Sequence, residues 1–100
     1  MSETKAERFM TMHPQGKKGV NIEKAKYDGM RAALLRVIPK DDEGIPFGDL
    51  KALIEPHLDH EVFTAEVSRG WYVTSVKQDL EARGEIVQVP RSRPQRLRRP

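Results

Sequence analysis

The sequence predicts a small α+β domain, mainly α: three helices with a C-terminal β-hairpin, and an extended arm or hairpin ahead of them. Three observations predict it. Apolar residues recur at helical spacing between Glu23 and Ile38 and again between Gly70 and Arg83. A β-branched run, Glu85-Ile86-Val87-Gln88-Val89, is followed by the proline-bracketed turn Pro90-Arg91-Ser92-Arg93-Pro94. At 100 residues, 37% of them hydrophobic, the chain has material for one small core.

The polar start, Met1 to Arg8, reads as frayed. Phe9 to Ile22 reads as a hairpin or arm. Its turn is Pro14-Gln15-Gly16-Lys17-Lys18-Gly19, with both glycines expected to take positive φ, and Val20 and Ile22 alternate with polar neighbours beyond it. In the first helix Tyr27, Met30, Leu34, Val37 and Ile38 form one stripe, with Ala33 on its flank. Lys24, Lys26, Asp28, Arg31 and Arg36 fall largely on the other side. Asn21 is the expected N-cap, and Pro39 stops the helix by pushing Ile38 out of the α region.

Asp41-Asp42-Glu43-Gly44 is an exposed acidic turn, and Ile45-Pro46-Phe47 a short extended piece. Gly48 and Asp49 lead a second helix with Leu50, Leu53 and Ile54 inward. Pro56 either ends it near Glu55 or opens a further turn through Leu58. Asp59 to Arg69 mixes its periodicities and is either a loop packed by its own apolar residues or a short helix. In the third helix Val73, Val76 and Leu80 face inward, with Trp71 or the stem of Arg83 beside them. Tyr72, Thr74, Ser75, Lys77, Gln78 and Glu81 project elsewhere. Gly84 suits the C′ position and Arg83 the negative end of the helix dipole. Gln95 to Arg98 returns as the partner of the 85–89 strand, which puts Leu97 on the face opposite Arg96 and Arg98.

Charge separates along the chain. Residues 1–90 carry 13 basic and 15 acidic side chains, a balance of −2, whereas residues 91–100 carry five arginines and no acid. The net +3 and the pI near 9.4 therefore come from the last ten residues. No apolar run approaches the ~20 residues of a membrane span, and the N-terminus lacks the apolar core of a signal peptide, so a cytoplasmic protein is expected. The chain has no cysteine, which removes thiol nucleophiles, disulfides and thiolate metal sites.

The order helix, short strand, helix, helix, hairpin is that of the winged-helix variant of the helix-turn-helix. Gly70 to Ile86, followed by Pro90-Arg91-Ser92-Arg93-Pro94-Gln95-Arg96-Leu97-Arg98-Arg99, resembles the recognition helix and wing of such domains. The likeness covers about Glu23 to Arg98, and its centre is Leu80-Glu81-Ala82-Arg83-Gly84 running into a strand. Together with His13 to Ile22 and Tyr27, these segments also resemble a family of small uncharacterised bacterial proteins. The implied organisation is an arm at residues 1–22, a winged-helix domain at 23–98 and a tail at 99–100.

The resemblance implies a non-enzymatic module, without cofactor, that binds duplex DNA. Thr74, Ser75, Lys77 and Gln78 would then face bases or phosphates: Gln bonds adenine bidentately, and Ser or Thr reaches either. Arg91 and Arg93 at the wing tip would suit the minor groove or flanking backbone, with Arg96, Arg98 and Arg99 adding phosphate attraction. Five such contacts would give a log–log salt slope of about −4 to −5. Against this, the third helix is neutral, since Asp79 and Glu81 balance Lys77 and Arg83, and Glu55, Asp59, Glu61 and Glu66 precede it against only Arg69. The alternative is a protein-interaction or dimerisation module using the third helix, Trp71-Tyr72 and the hairpin, without nucleic-acid binding. Separately, the arginines can be no more than a solvated tail, or can keep the hairpin edge from pairing with another chain.

Other signals are weaker. His57 and His60 share a spacing that a metal site can use, but two histidines in a Pro-interrupted polar stretch are ordinary surface, and no metal is expected. Gly16-Lys17-Lys18-Gly19 lacks the strand–loop–helix frame of a phosphate loop. No Ser/His/Asp set or carboxylate pair has catalytic spacing.

Overall fold

The N-terminal hairpin runs straight into the first helix and packs on its opening turn, Phe9 stacking on Tyr27. The structure, a computed structural model, describes residues 7–100. Of the polar start read as frayed, residues 1–6 lie outside the described chain, whereas Arg8 already belongs to a strand. β1 (Arg8–Met10) pairs antiparallel with β2 (Asn21–Glu23), Phe9 opposite Ile22. Thr11 prolongs the pairing: its N–H donates to the Val20 carbonyl at 2.9 Å, and its hydroxyl accepts from the Val20 N–H at 2.9 Å. The two turn glycines differ from expectation. Gly16 takes a positive φ of 75°, but Gly19 does not; it is needed because a Cβ there would lie 1.8 Å from the Thr11 carbonyl oxygen.

Helix α1 (Lys24–Val37) follows β2 directly. Asn21 is not its cap. Glu23 holds the N-cap position without a side-chain bond, and Asn21 sits in the strand, where its side chain accepts from Arg8 Nε at 3.0 Å. Tyr27, Met30, Ala33 and Leu34 are buried and Ile38 fully so, with Val37 half-buried beside them. The stripe is the one the spacing predicts, and Ile38 leaves the helix in extended geometry just before Pro39.

A tight turn follows, in which the Gly44 N–H donates to Asp41 Oδ1 at 2.9 Å. β3 (Ile45–Pro46) then leads through a 3-10 turn (Phe47–Asp49) into α2 (Leu50–Ile54). Leu50 and Ile54, one turn apart, are buried, but Leu53 at the edge of their face is 41% exposed. Pro56 both ends α2 and starts a 3-10 turn (Glu55–His57). The stretch before the third helix is a loop packed by its own residues: Phe63 is buried, Val62 and Val67 are half-buried, and Ala65 is exposed.

Helix α3 (Arg69–Ala82) starts at Ser68, whose Oγ accepts from the Trp71 N–H at 3.2 Å. It ends in a Schellman motif around Gly84 (φ 76°), with the Glu85 N–H on the Leu80 carbonyl at 2.9 Å and the Gly84 N–H on that of Glu81 at 3.1 Å. Two strands close the domain, β4 (Val87–Gln88) and β5 (Arg96–Arg98). The ordered strand is shorter than the 85–89 run because Ile86 turns into the core instead of joining the ladder. The sheet order is β3-β5-β4, so the last strand is the central one, and Leu97 on it is fully buried between half-buried Arg96 and Arg98. The protein is thus α+β and mainly helical, with three α-helices and two small antiparallel sheets among the described residues.

Gly44, just ahead of β3, lies against that sheet. It takes φ 66°, and a Cβ there would lie 2.6 Å from the Leu97 carbonyl oxygen and 2.8 Å from Val89 Cγ2. Gly44→Ala should cost about 2–4 kcal/mol in urea unfolding, from left-handed strain plus displacement of β5. Gly48→Ala, with open space around it, should stay within about 0.5 kcal/mol of the parent.

Candidate functional site

At about 100° per residue, α3 presents four faces. Val73, Val76 and Leu80 enter the core. Asp79 and Arg83 occupy one flank, Lys77 and Glu81 the other, and Trp71, Thr74 and Gln78 lie opposite the core. Each flank is held by one of the two hairpins.

The N-terminal hairpin holds the first flank through Asp79, which is completely buried. Asp79 Oδ1 accepts from the Met12 N–H at 2.8 Å, Oδ2 accepts from the Tyr27 hydroxyl, and Arg83 Nε donates to both oxygens at 3.0 and 2.9 Å. Burial together with the neighbouring carboxylate holds the Tyr27 phenol well above its usual pKa, so it remains a donor. Phe9 completes the cluster: its ring stacks on Tyr27 with centroids 4.0 Å apart, and the Arg83 guanidinium lies 5.1 Å from its centroid. The hydrogen bond to Asp79 raises the Arg83 pKa further. The stem of Arg83 therefore serves the hairpin contact and not the core stripe.

The C-terminal hairpin holds the opposite flank. Lys77 Nζ pairs with Glu81 Oε1 at 3.1 Å and donates to Gln95 Oε1 at 3.3 Å, while lying 5.1 Å from the Phe47 ring centroid. Glu81 Oε2 in turn accepts from Gln88 Nε2 at 2.8 Å. One lysine and one glutamate on α3 thus tie β4, through Gln88, and the residue that leads into β5, Gln95, to the helix.

The loop ahead of α3 is organised by Arg69. It forms a forked pair with Glu55, both bonds 3.0 Å, and donates to the carbonyls of Phe63, Thr64 and Val67. His60 Nε2 lies 2.7 Å from Glu55 Oε2. The hydrogen bonds from Arg69 and His60 bring the Glu55 carboxyl down to a pKa of about 2. One acid of the acidic approach is therefore neutralised locally, whereas Asp59, Glu61 and Glu66 are exposed.

The residues picked from the sequence separate into two groups. Thr74 is exposed, Gln78 half-buried, and Arg91 and Arg93 exposed at the turn between β4 and β5. Ser75 and Lys77, expected to project outward, are only 8% and 7% exposed; Lys77 is engaged by the hairpin instead of facing solvent. Arg96 donates from Nε to the Glu43 carbonyl at 2.8 Å, and Arg98 from Nη1 to that of Arg99 at 3.3 Å. Arg99 donates from Nε to the Ile38 carbonyl at 2.7 Å, at the negative end of α1. Trp71 is 46% exposed and not part of the inward stripe. Its ring meets Tyr72 edge-on at 4.8 Å, and Tyr72, half-buried, meets Phe63 edge-on at 5.8 Å. Asp79 is the residue that sequence reasoning missed. Its position three after Val76 and four before Arg83 placed it at the edge of the apolar stripe, which was the available signal.

The sequence matches the family described as Family of unknown function (DUF6958) over residues 8–97. No curated protein and no solved structure matches it.

Asp79→Ala would strand the Tyr27 hydroxyl, the Met12 N–H and the Arg83 guanidinium, and should cost about 3–5 kcal/mol in chemical denaturation. Tyr27→Phe leaves the carboxylate its other donors and should cost about 1–2 kcal/mol. The depressed Glu55 carboxyl contributes stability that is complete above its ordinary value of 4.5 and is lost as the pH falls through about 2. Urea midpoints followed across that window should fall less steeply for Glu55→Gln than for the parent.

Proposed function

The chain belongs to the DUF6958 family of unknown function, and for this member of it we propose a winged-helix module that binds duplex DNA and catalyses no reaction. The carrying observation is the disposition of charge on α3. Both of its carboxylates are turned aside: Asp79 is buried against the N-terminal hairpin, and Glu81 is enclosed by Lys77 and Gln88. The face opposite the core, Trp71, Thr74 and Gln78, is left with hydrogen-bonding and aromatic groups and no acid. A helix neutral by composition therefore turns no acid of its own toward a groove.

The C-terminal hairpin supports the same reading. β5 lies between β3 and β4, so the turn carrying Arg91 and Arg93 is braced by the strand that precedes α2 as well as by α3. Arg91 adopts φ 61°, a region that Gly or Asn fills at lower cost. In this reading Thr74 and Gln78 contact base edges, Arg91 and Arg93 contact phosphates or the minor groove, and Lys77 positions the hairpin.

A second reading, a protein contact or homodimer, is favoured by the exposure of Trp71 at the start of α3. Sedimentation of the parent and of Trp71→Ala separates the two: a dimer that Trp71→Ala dissociates would support it.

Truncation at Pro90 would remove the central strand and Leu97, so point variants are the informative test. The parent should bind a short duplex at low salt with Kd below about 100 μM. Arg91→Ala/Arg93→Ala should weaken binding to all sequences and reduce the log–log salt slope by about 2. Gln78→Ala should instead lower discrimination between sequences. Failure of the parent to bind any duplex at low salt rejects the reading.

A further inference from the structure

We infer that the N-terminal hairpin is a second contact to the duplex, with Lys17 and Lys18 at its tip binding backbone phosphates on the side of α3 away from Arg91 and Arg93. This rests on the duplex reading above. The basis is the way α3 is gripped. The N-terminal hairpin reaches it at Asp79 and Arg83, and the C-terminal hairpin at Lys77 and Glu81. On a helix of about 100° per residue these two pairs lie on opposite flanks, so the Trp71–Thr74–Gln78 face runs between the hairpins. Each hairpin ends in two exposed cations, Lys17 and Lys18 on one and Arg91 and Arg93 on the other. Among the described residues none of the four has a carboxylate partner.

The N-terminal hairpin is also built to hold its tip in place. Met12 is bonded to the buried Asp79, Phe9 is stacked on Tyr27, and Thr11 is buried and bonded in both directions to Val20. Beyond Met12 the chain closes a turn in which the Gly16 N–H donates to the His13 carbonyl at 3.0 Å and the Gln15 N–H to His13 Nδ1 at 3.1 Å. The tip cations are thus carried by a segment fixed to α3 itself.

Duplex DNA fits this arrangement because a helix in the major groove has a phosphate backbone on either side of it. Uncharged hydrogen-bonding groups in the middle and cation pairs on both flanks repeat the base–phosphate alternation across that groove. Lysine, a flexible point charge with three donors, suits phosphate without requiring a fixed geometry. With Arg91 and Arg93 the clamp makes four phosphate contacts, for a salt slope near −3.6.

The test is fluorescence anisotropy of the full chain with a labelled mixed-sequence duplex over a range of salt. Lys17→Ala/Lys18→Ala should weaken binding about ten-fold at low salt and reduce the log–log slope by about 2. Lys17→Arg/Lys18→Arg should keep the slope. Lys40→Ala/Lys51→Ala, which removes two exposed lysines elsewhere, should leave it unchanged. If Lys17→Ala/Lys18→Ala binds as the parent does while Arg91→Ala/Arg93→Ala is weakened, the arm contact is overturned and the duplex reading stands. Equal losses from the Lys40/Lys51 pair would reduce the effect to net charge and overturn it too. A parent chain that binds anionic phospholipid vesicles but no duplex overturns both.

Discussion

The arrangement of this protein depends on one buried carboxylate. Asp79 sits inside the domain with no solvent contact, and three groups from three parts of the chain converge on it: a backbone N–H from the arm, a phenol from α1 and a guanidinium from the next turn of α3. A buried charge is tolerable only when paired and hydrogen-bonded, so none of these partners is free to move without exposing the others. Such a cluster contributes less to net stability than to geometry. It fixes where the N-terminal hairpin lies on α3, and so defines one edge of the helix face left open.

The other edge is set by weaker but more numerous contacts. Lys77 and Glu81 neutralise each other beneath Phe47, Gln88 and Gln95, and the β3 strand pairs with β5 through the close approach at Gly44. The C-terminal arginines divide between two tasks. Arg96 and Arg99 satisfy carbonyl groups left over at the 41–44 turn and at the end of α1, while Arg91 and Arg93 remain in solvent. Arg96 and Arg99 thus each direct hydrogen bonds to backbone carbonyls inside the fold.

The apolar stripes of α1 and α3, the caps around Gly84 and Pro39, and the inward Leu97 were legible because each is a local rule: periodicity, dihedral preference or strand alternation. Leu53, Ser75, Lys77 and Trp71 were misread for a shared reason. Whether a position flanking a stripe is buried depends on what packs beside the helix, and that is supplied by segments distant in sequence. Lys77 meets Gln95 and Asp79 meets Met12 across separations that no local pattern encodes. Asn21 was read as a helix cap because its residue type fits one, yet pairing with Arg8 and Phe9's strand claimed it first.

Composition and order alone determined a small helical α+β chain, its three helices, its closing hairpin, and a basic surplus confined to ten residues. Each follows from short-range chemistry that the backbone cannot evade. Only the tertiary structure decided which charges face outward. It buried both acids of α3, withdrew Lys77 from solvent, assigned Arg96 and Arg99 to backbone carbonyls, and set an arm bearing Lys17 and Lys18 across the helix from Arg91 and Arg93. The physical reason is that a side chain's charge belongs to the sequence, but its exposure belongs to whatever the rest of the chain packs against it.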